Sequence, residues 1–120
     1  AGNLVYTSGQ LPTRAGTLAQ TGKVGLAVTS EEAKELARIS TLYALAAIDA
    51  LVGIDSVIQV VKVVGFVASA AGFNGQPGVI NGASDLLAEV FGGSHARSAV
   101  GVSELPLDSP VEVELVVEVE

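Results

Sequence analysis

From Val111 to Glu120 the chain alternates between two kinds of residue. Val111, Val113, Leu115, Val117 and Val119 fall on one side of a strand; Glu112, Glu114, Glu118 and Glu120 fall on the other. This period of two predicts a sheet strand with unlike faces. Upstream, His95–Val102 carries Arg97 among small and β-branched residues and reads as a second strand, with Ser103–Pro110 as the connecting loop. A hairpin pairing Val102 with Val111 sets Gly101 opposite Glu112, Ala99 opposite Glu114 and Arg97 opposite Val116. In that register Arg97 and Glu112 look into the same space, several residues apart. A slip of one residue puts them on opposite faces.

Val57–Val67 is β-branched and apolar at almost every position, the pattern of a central strand covered on both sides. Helices account for one cover; in so short a chain the other is expected to be a second subunit. Lys62 within it is expected at that interface or snorkelling to solvent, in preference to Schiff-base chemistry. Thr29 followed by Glu32 makes a capping box that opens a helix ending at Gly53. Its packing stripe is predicted as Leu36, Ser40, Tyr43, Ala44, Ala47, Ile48 and Leu51. Pro77 starts a second helix over Gly78–Phe91, with Val79, Ala83, Leu86, Leu87, Val90 and Phe91 inward. Asn3–Gln10 reads as a strand and Leu11–Gly16 as a loop, where Arg14 is a solvated charge. The order strand, helix, strand, helix, strand, strand predicts one α+β domain with two helices on one face of a mixed sheet.

The 120 residues suit one domain. Hydrophobic content is 49% but aromatics are 4%, so the core must be aliphatic, and part of the apolar area is expected in a subunit interface. With no Cys and one His, thiolate chemistry and a His-rich metal site are excluded. A net charge of −7 disfavours nucleic-acid backbones and anionic membranes. Gly22–Gly25 lacks the spacing of a phosphate loop. No signal peptide or long apolar run is visible, so a soluble cytoplasmic protein is expected.

Arg97 is the leading site residue. A guanidinium in the middle of a strand is costly to desolvate without a partner, so it either pairs with Glu112 or Glu114 or binds a carboxylate with its planar fork. Glu112, one of four alternating acids, reads from the pattern as part of a solvated sheet face. Gly9 is a flexible strand end or a point where backbone approaches a ligand. Asn81 is a helix-surface amide or a buried hydrogen-bonding group.

The block Ala96-Arg97-Ser98, Leu105-Pro106 and Val111-Glu112-Val113-Glu114, with Tyr6–Pro12 and Val79-Ile80-Asn81 upstream, resembles the Rid (YjgF-like) family of reactive-intermediate imine deaminases. The resemblance covers essentially the whole chain. It implies a chorismate-mutase-like fold, a homotrimer and sites between subunits. It also implies hydrolysis of an amino-acid-derived enamine or imine, of the 2-aminoacrylate or 2-iminopropanoate type, to a 2-oxo acid and ammonium, without a cofactor or metal. Arg97 would bind the substrate carboxylate, Gly9 would contact substrate through its backbone, Asn81 would support the site, and Glu112 would guide the attacking water. Ala99 stands where many members have Cys, and His95 where many have Pro. Two other readings stay open: a small-metabolite-binding or regulatory protein using the same cleft, and an endoribonuclease. Leu4–Thr7 reads as a strand already under way, so an upstream strand that contributes an aromatic to the site is expected before Ala1.

Overall fold

The computed structural model describes Ala1–Glu120 throughout. Its elements are β1 (Leu4–Tyr6), a small hairpin of β2 (Thr13–Arg14) and β3 (Thr17–Leu18), α1 (Ser30–Val52), β4 (Val57–Ala68), α2 (Gln76–Phe91), β5 (Ala96–Val102) and β6 (Val111–Val119). Four strands form one sheet in the order β1-β6-β4-β5. Both helices pack on one face of it.

Local chemistry sets the helix ends. The Thr29 hydroxyl accepts from the Glu32 N–H at 3.1 Å, and Glu32 Oε1 accepts from the Thr29 N–H at 3.0 Å. This closed box satisfies two otherwise orphaned donors and stabilises the start of α1 by about 1 kcal/mol. Gly53 ends the helix, its N–H returning to the Asp49 carbonyl at 2.9 Å. Pro77 sits in the first turn of α2, where it forfeits no helical hydrogen bond.

Leu36, Ala37, Ala44 and Ile48 of α1 and Val79, Ile80, Ala83 and Leu87 of α2 cover Val63, Val67 and the odd residues of β6. Each large aliphatic side chain buried here contributes about 1.5–3 kcal/mol. The α1 stripe is rotated from the expected one. Thr41 and Leu45 are buried, whereas Tyr43 is 39% and Leu51 71% exposed and Ala47 lies outside. On α2, Ile80 is inside and Val90 is 48% exposed. The two helices also pack on each other, which turns the inward stripe away from the sheet normal. Their crossing depends on Gly82: a Cβ there would lie 2.9 Å from the carbonyl carbon of Lys34.

The expected hairpin does not form. β5 pairs with β4 in parallel, and β6 pairs with β4 antiparallel, so β4 lies between them. Val63 is flanked by Arg97 and Leu115, Gly65 by Ala99 and Val113, and Phe66 by Val100 and Glu112. A parallel β4–β5 pair needs a crossover, which α2 supplies. The loop after β5 then steps across the end of β4, where Ala68 donates to the Pro110 carbonyl and Ser69 to the Val102 carbonyl. The step demands positive φ at Leu107 and Asp108, both 59°.

β4 is central, as expected, but only its helix side is covered within the chain. Lys62 and Val61 are exposed, and Val64 and Phe66 are half-buried on the open face. The segment Leu11–Gly16, expected as loop, contributes β2 and the turn of the small hairpin, with Arg14 exposed.

Replacing Gly82 by alanine forces α1 and α2 apart. Gly82→Ala is expected to lower unfolding stability by about 2 kcal/mol or more in denaturant titration, whereas a change of less than half that would show that the crossing is not tight.

Candidate active site

Residues directly opposite one another in a sheet share a face. Val63 and Leu115 are fully buried under the helices, so Arg97, level with both, also projects to the helix side. There its Nη1 donates to Asn81 Oδ1 at 2.8 Å and to Ser84 Oγ at 3.2 Å, both on α2. Nη2 makes one long contact, 3.4 Å, to the Pro77 carbonyl. Both hydrogens of Nη1 are therefore committed. The edge formed by Nε and Nη2 is the one left to take a carboxylate with two parallel hydrogen bonds. The chain's ion pairs, Lys23–Glu104 at 3.2 Å and Lys34–Asp85 at 3.7 Å, do not involve Arg97. Pairing with Glu112 or Glu114 within the chain is thus ruled out, and Arg97 is a half-buried cation with no counterion.

Glu112 lies on the other face. Its strand neighbours Val111 and Val113 are fully buried toward the helices, so Glu112 points to the open side, level with Phe66. The expectation that Arg97 and Glu112 share a space within one chain is overturned. Gly101, expected opposite Glu112, is level with Val111 instead, so the real register is one residue off. In a strand that moves every side chain to the other face.

What Glu112 does meet is Gly9. Thr7 and Gln10 both bond to β6, through the Leu115 and Val113 carbonyls at 2.9 Å. Ser8-Gly9 arches between these anchors over Glu112. A Cβ on Gly9 would stand 2.7 Å from the Glu112 carboxyl carbon, so any larger residue there displaces that carboxyl from its present place. The Gly9 N–H is engaged by no other group of the chain. Partial burial, followed by repulsion from Glu114, holds the Glu112 carboxyl above the usual carboxylate range. A carboxyl shifted in that direction is a better proton acceptor than an ordinary carboxylate.

The four expected site residues therefore fall into two pairs. Arg97 and Asn81 form a cationic half on the helix side of the edge strand β5, and Gly9 and Glu112 form an acidic half on the open face. No groove of the single chain joins them. The larger grooves lie elsewhere, about 400 Å³ between α1 and α2 around Lys34 and Asp85 and about 330 Å³ beside Arg14 and Tyr43. Two residues of the first half were not expected: Ser84, and His95 bonded to it at 2.9 Å. Ser84 stands three residues after Asn81, on the same helix face, and that spacing is the signal that finds it. Ala99, level with Gly65, faces the helices and adds no reactive group.

The family model of endoribonuclease L-PSP matches residues 1–119. The chain belongs to the L-PSP family, also called YjgF/RidA. Among L-PSP relatives, Protein TCP17 of Trypanosoma cruzi is 42% identical over 98% of this chain and 76% of its own. A solved Agrobacterium tumefaciens structure of unknown function is 43% identical with a TM-score of 0.97, covering 100% of this chain and 78% of that one. A Shewanella oneidensis structure assigned as an endoribonuclease is 32% identical with a TM-score of 0.94, covering 99% and 81%. The L-PSP fold is the one described above, two helices on a mixed sheet. No helix of this member is long and apolar enough to cross a membrane.

The raised Glu112 ionisation carries a sign. Its native state holds a proton more tightly than the unfolded chain, so its charge opposes folding above the ordinary carboxylate range. Glu112→Gln is expected to raise the melting temperature at pH 7, with the difference vanishing below the ordinary range; thermal unfolding across pH checks this.

Proposed function

We propose that this L-PSP family member hydrolyses reactive enamines and imines of amino-acid origin to 2-oxo acids and ammonium, at a cleft between protomers of a homotrimer. The observation that carries the reading is the split of the site. An unpaired guanidinium and a partly buried glutamate sit on opposite faces of one sheet, each without a counterion within the chain. A cyclic assembly apposes unlike surfaces, so the Arg97 half of one protomer can meet the Glu112 half of the next. The uncovered apolar strip of Val64, Phe66, Val100 and Val116 gives such an assembly a surface to bury.

In the cleft the substrate carboxylate takes the Nε–Nη2 edge of Arg97, while Asn81 and Ser84 hold Nη1. This anchors the C=N carbon at a fixed distance from the neighbouring Glu112. Glu112 takes a proton from water as the hydroxyl adds to that carbon, giving a carbinolamine. Starting from the protonated imine, the proton returns to nitrogen, the C–N bond breaks as ammonia leaves, and the hydroxyl gives its own proton to Glu112 and thence to ammonia, leaving the 2-oxo acid and ammonium. The Gly9 N–H is placed to donate to the substrate beside Glu112. Every step is a proton transfer or an addition to an already activated bond, so this chain's side chains suffice.

RNA cleavage, the activity in the family's name, fits less well. The net charge of −7 and an open face carrying Glu112, Glu114 and Glu118 oppose a phosphate backbone.

Ammonia release from freshly generated 2-iminopropanoate is the assay. Arg97→Ala and Glu112→Gln are each expected to lower kcat/KM about 100-fold or more, the worth of a charge-assisted hydrogen bond. Unchanged activity in either contradicts the assignment. Co-assembling the two inactive variants is the sharper measurement. With sites shared around a ring, equal mixing is expected to restore about a quarter of the activity, the chance that an intact Arg97 meets an intact Glu112. Sites built within one protomer would restore none.

A further inference from the structure

Behind Arg97 lies a hydrogen-bonded chain whose far end, His95, the proposed reaction does not use. Arg97 can only donate, so Ser84 Oγ accepts from its Nη1 at 3.2 Å. The Ser84 hydroxyl then has its own hydrogen to give, and His95 Nε2 stands 2.9 Å away. With a neutral imidazole carrying its proton on Nδ1, the Ser84 hydroxyl donates to Nε2 and the run passes from Arg97 through Ser84 to His95; the second lone pair of that hydroxyl also lets it accept from a protonated Nε2. When Nε2 takes a proton, it donates back to Ser84, whose hydroxyl must turn elsewhere, and a second positive charge stands beside the guanidinium.

We propose that Ser84 and His95 are positioning residues for the anion half-site, and that a proton on His95 tightens the hold of Arg97 on a substrate or product carboxylate. The inference rests on the carboxylate-binding reading of Arg97. The charge environment makes His95 responsive to that site. Burial, and then the field of Arg97, keep the imidazole below its ordinary range, so it is neutral in the free protein near pH 7. The other charged groups face away. Asp85 and Glu89 of α2 line the groove toward α1, where Asp85 pairs with Lys34 at 3.7 Å. Lys62 of β4, in register with Ala96, extends exposed on the open side. Arg97 is thus the one charge acting on His95, and an anion on Arg97 cancels it. Bound carboxylate raises the His95 ionisation, and by reciprocity protonated His95 favours bound carboxylate. Product release would then slow as the pH falls through the histidine range.

His95 is the only histidine, so one imidazole resonance reports it without assignment. The experiment follows that resonance through a pH titration of the assembled protein, with and without 2-oxobutanoate, and measures the affinity for 2-oxobutanoate by calorimetry at about pH 5 and pH 7.5. Wild type is expected to bind about threefold more tightly at the lower pH, the effect of one added unit charge screened by solvent. Ligand is expected to move the His95 midpoint upward. His95→Asn should keep binding but lose the part of the pH dependence that Glu112→Gln retains. Ser84→Ala should weaken binding at both pH values, because it frees one hydrogen of Nη1. Binding that depends on Arg97, with the same pH profile in His95→Asn as in wild type, overturns the relay and leaves the carboxylate reading standing. No binding to wild type at either pH, or binding undiminished in Arg97→Ala, overturns both.

Discussion

Val63 has Arg97 on one side and Leu115 on the other, and the chemistry of this protein follows from that alignment. Beyond the irregularity at Val60–Lys62 of β4, parity holds along these strands, so a residue serves one face or the other. Once Leu115 and Val63 are buried beneath the helices, Arg97 must turn toward α2 and Glu112 must turn away from it. The sheet that holds both groups also keeps them apart. It gives each a local partner set, Asn81 and Ser84 for the guanidinium and the Gly9 arch for the carboxyl, and neither set neutralises the charge it positions.

This division has an energetic consequence. A half-buried arginine without a counterion and a glutamate raised by burial and a like neighbour are both unfavourable in the isolated chain. Natural chains carry such groups where something else completes them. The open sheet face beside Glu112, with Val64 and Phe66 half-exposed, is the surface left for completion. The unpaired charges and the incomplete burial are here two aspects of one arrangement.

Features governed by neighbours in sequence were legible before the structure. The Thr29–Glu32 box, the stop at Gly53 and the Pro77 start need only a few residues of context, and all three stand where the pattern puts them. The two-helix α+β layout follows from the order of apolar periods. Strand partnership was not legible. Nothing in residues 95–120 says that the chain between two consecutive strands will cross the end of a third, and a hairpin satisfies the same alternation. The error was one residue of register, enough to move Glu112 to the wrong face. Tyr43 and Leu51 failed for a related reason: a helical stripe gives a direction, and helix-on-helix packing rotated it toward Thr41 and Leu45. Arg97 stands with Asn81 and Gly9 with Glu112, and this division into two halves is a property of the sheet that the sequence pattern did not carry.

The central claim is that one protomer supplies the guanidinium and another the glutamate to the same ligand. A crystal structure of the assembled protein soaked with 2-oxobutanoate tests it most directly. The account predicts the ligand carboxylate on the Nε–Nη2 edge of Arg97 in one chain, with Glu112 of a neighbouring chain within hydrogen-bond reach of its carbonyl. A ligand contacted by a single chain, or an Arg97 edge closed off by the assembly itself, would contradict it.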